Sequence, residues 1–217
     1  MDKKKFTRLL IIISAAILVV DQIVKILVKT HMQIGEDIPL IGTWCHLHFI
    51  ENEGFAFGTA IGGVTGKYLL TLFRIAATGF IIWLIAKYLR EGQRHSLILS
   101  LTVIAAGAIG NIIDSCFYGI LFNESYYSVA TLFPPDGGYA PLLQGRVVDM
   151  FYFPLFELDW PYWIPFVGGE HFEFFSAIFN VADSAVTIGV VWLLIDQLFL
   201  APKHSKSKKT KNTTKEN

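Results

Sequence analysis

Two aspartates close to apolar segments have the clearest potential for chemistry in this chain. Asp149 ends the segment Gly145-Arg-Val-Val-Asp149, and Asp183 lies within Phe179-Asn-Val-Ala-Asp-Ser184 at the start of the last apolar run. A carboxylate beside the hydrocarbon layer of a membrane is costly, so its presence indicates a function and a partner. Two such carboxyls close together would share one proton and could activate a water molecule.

The elements that must position these residues are membrane spans. Of the 217 residues, 53% are hydrophobic and 17% are charged, and the net charge is zero. Soluble domains usually have about 25% charged residues, and here the apolar residues form long blocks. Spans of about 20 residues are expected at positions 9–28, 68–88, 97–116 and 175–200. The N-terminus could also be a cleaved signal peptide, but its length and the lack of an A-x-A-like site favour a span.

Lys and Arg are concentrated on one side of this layout. The N-terminus, the loop at residues 87–95 and the C-terminal tail are basic, whereas residues 30–66 and 117–174 are acidic and poor in Lys and Arg. The positive-inside rule therefore places both termini in the cytoplasm and the two long loops outside. We expect residues 1–200 to form one four-span domain and residues 201–217 to form a disordered basic tail.

The two outer loops carry β-type and aromatic patterns. Residues 44–50 and Phe55-Ala-Phe57 flank the turn-like segment Glu51-Asn-Glu-Gly54, which predicts a hairpin. The second loop is rich in Tyr, Phe and Trp, which suit the headgroup region of a membrane. Cys45 and Cys116 are too few for a disulfide framework, although both lie on the outer side, where they could pair.

Helical spacing places the polar residues of each span on one face. The faces are Ser100, Gly107, Asn111 and Asp114 in the third span and Ser176, Asn180, Asp183 and Thr187 in the last. Most of these groups lie towards the outer ends of the spans, which predicts a polar site that opens outward. Asn111 and Asn180 could equally join helices by hydrogen bonds, and Asp114 could be catalytic or only an anchor.

Several classes of protein could use these carboxylates. An enzyme at the membrane surface would use them for hydrolysis, whereas a proton- or ion-coupled transporter would use them along its transport pathway. Transport sites lie near the middle of the bilayer, so the outer position of the polar groups favours an enzyme. A lipid-binding scaffold without catalytic activity is a further alternative.

The other charged groups have simpler interpretations. Asp21 and Lys25 lie one helical turn apart, so they can neutralise each other as a structural pair. Arg74 is interpreted as a cation that reaches towards the lipid headgroups. His46 and His48 point to one face of a strand, but no third ligand lies nearby in the sequence, so no metal site is expected.

Five short segments, in this order along the chain, resemble the lipoprotein signal peptidases, which are the bacterial type II signal peptidases. They are Asp21-Gln-Ile-Val-Lys25, Asn52-Glu-Gly-Phe-Ala-Phe-Gly58, Gly110-Asn-Ile-Ile-Asp114, Gly145-Arg-Val-Val-Asp149 and Phe179-Asn-Val-Ala-Asp-Ser184. The resemblance extends from the first span to the fourth. It implies an all-α membrane protein of four transmembrane helices with a small extracytoplasmic β-cradle.

The resemblance also implies an activity, that of an aspartyl endopeptidase which needs no metal or cofactor. Its substrates would be prolipoproteins that carry diacylglycerol on a cysteine, and the cut would fall just before that cysteine. The family's catalytic aspartates correspond to Asp149 and Asp183. Its supporting residues correspond to Asp21, Lys25, Asn52, Gly54, Asn111, Asp114 and Asn180.

The setting that follows is the inner membrane of a bacterium, with the active site at the surface of the outer leaflet. Membrane lipids and diacylglyceryl-prolipoproteins would be the partners, nucleic acid would not, and one chain would be sufficient. We expect Asn111 and Asn180 to hold the aspartates and the substrate carbonyl, with Asp114 behind them. Asn52 and Gly54 would line a lid. Which aspartate carries the shared proton is open, because such a pair titrates as a unit.

Three features depart from the family's pattern. Ser115 stands where the family usually has Arg after the aspartate of Gly-Asn-x-x-Asp, so the role of that Arg has either passed to Arg146 or been lost. The stretches 119–145 and 150–174 are longer than usual. We expect these insertions to extend the outer cradle or to form a lid.

Overall fold

The computed structural model describes residues 2–54 and 63–200 and shows a helical bundle with a small antiparallel sheet at one end. The helices are α1 (Lys3–His31), α2 (Gly63–Glu91), α3 (His95–Ile113), the short α4 (Gly119–Leu121) and α5 (Val181–Ile195). The strands are β1 (Asp37–Ile41), β2 (Cys45–Asn52), β3 (Val147–Tyr152), β4 (Phe156–Asp159), β5 (His171–Phe174) and β6 (Ile178–Phe179). The predicted fold class, four long helices with a small β region, is confirmed.

Four helical segments are long and apolar enough to cross a membrane. They are Lys3–His31, Gly63–Glu91, His95–Leu121 and Val181–Phe199, and the third includes a π-helical turn at Asp114–Tyr118. The third segment is the central one, because α3 packs against α1, α2 and α5. The other three expose large apolar side chains such as Ile12, Phe73 and Ile188, which suit contact with lipid.

Glycines allow α3 to approach its neighbours closely. A Cβ on Gly107 would collide with the carbonyl oxygen of Ala182 and would lie 2.9 Å from Val186 Cγ2. A Cβ on Gly110 would lie 2.7 Å from Asp21 Oδ2. Small residues at helix interfaces permit such backbone contact within membranes. Helix α3 can therefore bring polar groups of α1 and α5 within hydrogen-bonding distance of its own.

The last helix begins later than the sequence pattern predicts. Residues 178–179 form β6, which pairs with β3, and α5 starts at Val181 with Asn180 as its N-cap. Ser176 and Asn180 therefore do not share a helical face with Asp183. Apolar composition alone does not distinguish a short strand from the first turn of a helix, whereas a side chain that accepts a backbone N–H marks the boundary.

The main sheet has the strand order β1-β2-β3-β6, and all its neighbours are antiparallel. The turn between β1 and β2 lies at residues 42–44, where Gly42 has a φ of +54° that glycine adopts without strain. The turn predicted at residues 51–54 begins later than expected, since β2 continues to Asn52 and pairs with β3, and the chain turns at Gly54. The second arm predicted for that hairpin and the tail at residues 201–217 lie outside the described residues.

The sheet packs against the C-terminal ends of α1 and α3 through an apolar core. Val148 and Met150 of β3 are buried in this core beside Phe49 of β2 and Val28 of α1. Successive residues of a strand point to opposite faces. Asp149, between Val148 and Met150, therefore points away from the apolar core, and it is nevertheless only 2% exposed.

The two insertions do not add strands to the main sheet. The first contributes only an isolated bridge between Phe122 and Leu132 among the described residues. The second contains β4 and β5, which pair with each other in a separate ribbon with Phe156 and Phe174 stacked at 4.8 Å. A lid role for either insertion stays a prediction. The two cysteines are both buried and free, so they form no disulfide.

Candidate active site

Asn180 joins the two aspartates that the sequence analysis selects. Its backbone N–H donates to Asp183 Oδ2 at 3.3 Å, and its side-chain Nδ2 donates to Asp149 Oδ1 at 2.6 Å. Its Oδ1 accepts the backbone N–H of Asp183 at 2.8 Å, which completes a reciprocal capping box at the start of α5. The N-cap of α5 is thus the point at which strand β3 and helix α5 bring their carboxyls together.

Asp183 is held in the first turn of α5, where the helix dipole favours a negative charge. Asn111 of α3 donates its Nδ2 to Asp183 Oδ1 at 2.7 Å. The Oδ1 of Asn111 accepts Lys25 Nζ at 2.8 Å and Asn180 Nδ2 at 3.1 Å. An ammonium group can only donate, so Lys25 fixes the orientation of the Asn111 amide and turns its Nδ2 towards Asp183.

Lys25 lies at the centre of a buried ionic cluster. Its Nζ is 3.0 Å from Asp21 Oδ2 and 2.8 Å from Asp114 Oδ2, and all three side chains are fully buried. Gln22 Nε2 donates to Asp114 Oδ1 at 2.9 Å. The predicted pair of Asp21 and Lys25 is present, but it is not an isolated pair on one helix. It is part of a three-residue cluster that joins α1 to α3.

The two carboxylates of this cluster also hold the backbone that carries the aspartates. Asp21 Oδ1 accepts the backbone N–H of Ala182 at 2.8 Å, one residue before Asp183. Asp114 Oδ2 accepts the backbone N–H of Val148 at 3.3 Å, one residue before Asp149. Both bonds satisfy N–H groups that would otherwise be costly to bury. The cluster therefore positions both aspartates through their main chain.

Asp149 carries the perturbed carboxyl of the site. Burial raises its pKa to about 7, and the negative charge of Asp183 acts in the same direction. Hydrogen bonds to its carboxylate oxygens act in the opposite direction, from Asn180 and from Asn52 Nδ2 at 3.1 Å. Asp149 can therefore hold a proton near neutral pH, which an ordinary aspartate does not.

Comparison with known proteins identifies the family. Residues 13–199 match the family described as signal peptidase (SPase) II. The chain belongs to the signal peptidase II family. The lipoprotein signal peptidase of Porphyromonas gingivalis (strain ATCC BAA-308 / W83) is 51% identical over 180 residues, which cover 82% of this chain and 78% of that protein. The lipoprotein signal peptidase of Amoebophilus asiaticus (strain 5a2) is 36% identical over 191 residues, which cover 85% of this chain and 75% of that protein.

A solved structure supports the fold. A bacterial membrane enzyme determined by the in meso method has a TM-score of 0.57 and 24% identity to this chain, and the match covers 88% of this chain and 94% of that one. As a member of the signal peptidase II family, the chain is a peptidase with several membrane spans. The alternatives of an ion-coupled transporter and a lipid-binding scaffold receive no support from these comparisons.

Asn52 and Gly54 lie beside Asp149 in this peptidase. Asn52 Oδ1 accepts the backbone N–H of Gly54 at 2.7 Å, which forms a turn at the end of β2 while Asn52 Nδ2 contacts Asp149. Gly54 has a φ of +87°, a conformation that side chains other than glycine rarely adopt. The rest of the Asn-x-Gly-x-Ala-Phe segment lies outside the described residues.

Arg146 is not part of this group, in contrast to the expectation that it supports the site. Its Nη1 lies 3.0 Å from Glu51 Oε2 and 2.6 Å from Glu124 Oε1, and its guanidinium lies over the ring of Tyr139 at 4.8 Å. These acidic partners raise the pKa of Arg146 above its ordinary value, although burial alone would lower it. Ser115 donates to the carbonyl oxygen of Asn111 at 2.9 Å, so neither residue supplies a cation to the aspartates.

Arg74 of α2 is the site residue that the sequence interpretation missed. It was expected to reach towards lipid headgroups, but its Nη2 donates to the carbonyl oxygen of Gly54 at 3.3 Å. The guanidinium is also close enough to Asp183 and Asp149 to interact with both charges. The available sequence signal was its position on one face of α2 with Thr71 and Thr78, both buried.

The two histidines have an acidic partner. His46 Nδ1 lies 3.0 Å from Asp37 Oδ1, and His48 Nδ1 lies 4.0 Å from the same oxygen. Residues 2–54 and 63–200 contain no group of three or more His, Cys, Asp or Glu side chains arranged to hold a metal ion.

Proposed function

We propose that Asp149 and Asp183 are the catalytic pair with which this chain removes signal peptides from prolipoproteins. Signal peptide removal is the activity of the family to which the chain belongs. The observation that carries the aspartic mechanism is the double hydrogen bonding by Asn180, which links one carboxyl of β3 to one carboxyl of α5. Two carboxyls held in this way share a proton, as in other aspartic proteases.

The geometry favours one distribution of that proton. Asp149 is almost fully buried and its pKa is raised to about 7, so it holds the shared proton. Asp183 is less buried and lies at a helix N-terminus, where a negative charge is stabilised. Ionised Asp183 would take a proton from water as the water attacks the scissile carbonyl. Protonated Asp149 would donate a hydrogen bond to the carbonyl oxygen and then pass its proton to the leaving amine.

The substrate and the setting follow the family resemblance. The bond to be cut would lie just before a cysteine that carries diacylglycerol, and the acyl chains would remain in the bilayer. A site at the outer end of the helices, where water is available, suits this substrate. The basic N-terminus and the basic loop between α2 and α3 support cytoplasmic termini in a bacterial inner membrane. One chain supplies both aspartates and the amides that hold them, so the proposed mechanism needs no second copy.

The catalytic pair can be tested in a bacterial host that lacks its own prolipoprotein processing. Asp149→Asn and Asp183→Asn should each abolish cleavage of a reporter prolipoprotein, because an amide cannot replace the shared proton and charge. Asp136→Asn is the matched control, since Asp136 is exposed and outside the site. It should process the reporter normally, and a chelator should leave wild-type cleavage intact.

The same experiment separates the alternatives. Wild-type cleavage by either site variant would show that the pair is wrongly assigned. A transporter would give ion-dependent uptake and no cleavage product. A scaffold would bind the lipidated reporter and leave it uncut. Comparable amounts of each variant in the membrane, measured by immunoblot, establish that lost cleavage is not lost expression.

A further inference from the structure

Arg74 rests on a turn that only glycine can form without displacing it. Its Nη2 donates to the Gly54 carbonyl oxygen at 3.3 Å. A Cβ on Gly54 would lie 2.9 Å from both Nη1 and Nη2 and 3.2 Å from Cζ. Glycine is therefore required at position 54 for two reasons: it adopts the positive φ without strain, and it leaves room for the guanidinium of Arg74. The guanidinium covers the turn that follows Asn52, the residue that donates to Asp149.

The charge of Arg74 has no carboxylate partner at salt-bridge distance among the described residues. A guanidinium offers five N–H donors, and one hydrogen bond, to Gly54, is formed within the described part of the chain. Its strongest attraction is to Asp183, and the next is to Asp149. Arg74 is half-buried, and a cation in such a position is stabilised by nearby carboxylates. The position therefore indicates that this charge acts on the two aspartates.

The other groups around the two aspartates show that Arg74 differs from them in carrying a positive charge that no other carboxylate holds at salt-bridge distance among the described residues. Lys25 of α1 interacts with the charge of Asp149, but it is already held between two other carboxylates. Asn111 of α3, Asn180 at the start of α5 and Asn52 of β2 are neutral. Arg74 is the cation that α2 contributes.

We propose that Arg74 is a positioning residue of the peptidase, which fixes the Gly54 turn over the aspartate pair and stabilises the single negative charge that the pair carries. This inference rests on the proposed catalytic role of Asp149 and Asp183. The cation favours the ionised form of a nearby carboxyl. It therefore keeps one aspartate of the pair available as a base.

The test is the pH profile of cleavage by the purified full-length enzyme in lipid, with a diacylglyceryl-prolipoprotein as substrate. Arg74→Gln removes the charge, so the carboxyl pKa values rise and both limbs of the bell-shaped profile should move to higher pH by about one unit. On the acidic side kcat should fall about tenfold, the factor that one pKa unit represents. KM should change less than kcat, because the lost charge acts on the protonation of the aspartates.

Two further variants separate the charge from the shape of the side chain. Arg74→Lys keeps the charge but not the planar fork, so its profile should keep the wild-type position with a lower maximum. Lys67→Gln is the matched control, because Lys67 is a buried cation on the same side of α2 whose main attraction is to Glu53 and not to the aspartates. Its profile should stay at the wild-type position.

The outcomes distinguish this inference from the catalytic assignment. An Arg74→Gln profile at the wild-type position, with a wild-type maximum, overturns the role of Arg74. Activity in Asp183→Asn overturns the catalytic pair, whatever Arg74 does. If Arg74→Gln does not fold, Arg74→Lys and Gly54→Ala decide the question, since the added methyl displaces the guanidinium and should shift the profile in the same direction. A thermal unfolding curve for each variant detects a merely structural loss.

Discussion

Each aspartate of the pair follows a residue whose backbone N–H is bonded to a buried carboxylate. Asp21 holds Ala182 and Asp114 holds Val148, and Lys25 lies between the two holding groups. A carboxylate that accepts a backbone N–H cannot turn away without leaving that N–H unsatisfied. Side chains distant in sequence thus fix the main chain on both sides of the site. Precise positioning of this kind is what catalysis by paired acids requires.

Because the carboxyl of Asp149 is buried, we expect its ionised form to lower the stability of the folded protein. Its folded-state pKa of about 7 lies above the ordinary value of about 3.9. Between these values the folded chain binds more protons than the unfolded chain, so this group makes stability fall as the pH rises through the window. Asp149→Asn does not titrate. The free energy of unfolding of Asp149→Asn should therefore exceed that of the wild type. The difference should grow between about pH 4 and pH 7 and reach about 2–4 kcal/mol.

Thermal unfolding of the purified proteins over this pH range measures that gap. Asp136→Asn provides the reference, because its exposed carboxyl is replaced without loss of a buried charge. Its melting temperature should follow the wild type at every pH. Parallel curves for Asp149→Asn and the wild type would contradict the raised pKa and would remove the reason for assigning the shared proton to Asp149.

At the scale of elements, helix α1 is tied to strand β2 by a second buried ionic group. Lys29 and Glu51 form an ion pair with both side chains fully buried, and Ser125 donates to Glu51 Oε1 at 2.7 Å. Burial alone would raise the pKa of Glu51, but Lys29, Ser125 and Arg146 lower it below the ordinary carboxyl value. Because Asn52 follows Glu51 on the strand, this pair also holds the end of β2 that contacts Asp149.

Lys29→Met should therefore destabilise the whole peptidase. It removes the fully buried cation of Glu51 and leaves only Arg146 at 3.0 Å, so the loss should approach the roughly 3–5 kcal/mol that breaking a buried ion pair costs. A carboxyl with a lowered folded pKa contributes stability above its ordinary pKa and loses it on acidification, so the loss should shrink as the pH falls and Glu51 protonates. Thermal unfolding at several pH values measures the loss of stability and its pH dependence. Cleavage of a prolipoprotein by Lys29→Met at two temperatures measures the effect on activity, which should be lost at the higher temperature first.

The control for this change is an exposed pair on the same bundle. Lys87 lies 3.9 Å from Glu91 on α2, and both side chains are 43% exposed. Surface pairs of this kind contribute about 0–1 kcal/mol, so Lys87→Met should leave the melting temperature almost unchanged. Equal decreases in melting temperature for Lys29→Met and Lys87→Met would mean that burial does not determine how much the Lys29–Glu51 pair contributes to stability.

Sequence patterns predicted the elements better than the contacts between them. The i,i+4 spacing of Asp21 and Lys25 is local, so that pair could be predicted, whereas its third member, Asp114, comes from a distant helix. Arg146 was considered because Ser115 stands where the family usually has Arg, and Arg146 precedes Asp149 by three residues. Residues an odd number apart on extended chain point to opposite faces, and Arg146 indeed faces Glu51 instead.

The two remaining differences have the same physical origin. Arg74 approaches the aspartates only because α2 packs beside α3 and the turn at Gly54 reaches it, and no local spacing encodes that contact. The start of α5 was placed too early because residues 175–179 are as apolar as the span that follows them. The capping box that moves the start to Val181 requires Asn180 and Asp183 to bond each other, which composition does not reveal.

At the scale of the whole molecule, one end of the bundle gathers the basic segments and the other carries the sheet and the site. Phe6 of α1 contacts the ring of His95 at 4.0 Å, and Arg94 lies 2.8 Å from Asp196 after α5. The start of α1, the start of α3 and the end of α5 are therefore neighbours. The sheet packs at the opposite ends of α1 and α3, so the aspartate pair lies at the end whose loops are poor in Lys and Arg.

This separation predicts the orientation of the peptidase in the membrane. Lys and Arg remain on the cytoplasmic side, so the turn between β1 and β2 should face outward and the loop between α2 and α3 should face the cytoplasm. In a variant without Cys45 and Cys116, Thr43→Cys should react with a membrane-impermeant maleimide added to spheroplasts, whereas Gln93→Cys should react only after lysis. Both positions are exposed, so accessibility within the fold is matched. The reverse pattern would place the aspartates on the cytoplasmic side, where a prolipoprotein's lipid-modified cysteine in the outer leaflet could not reach them.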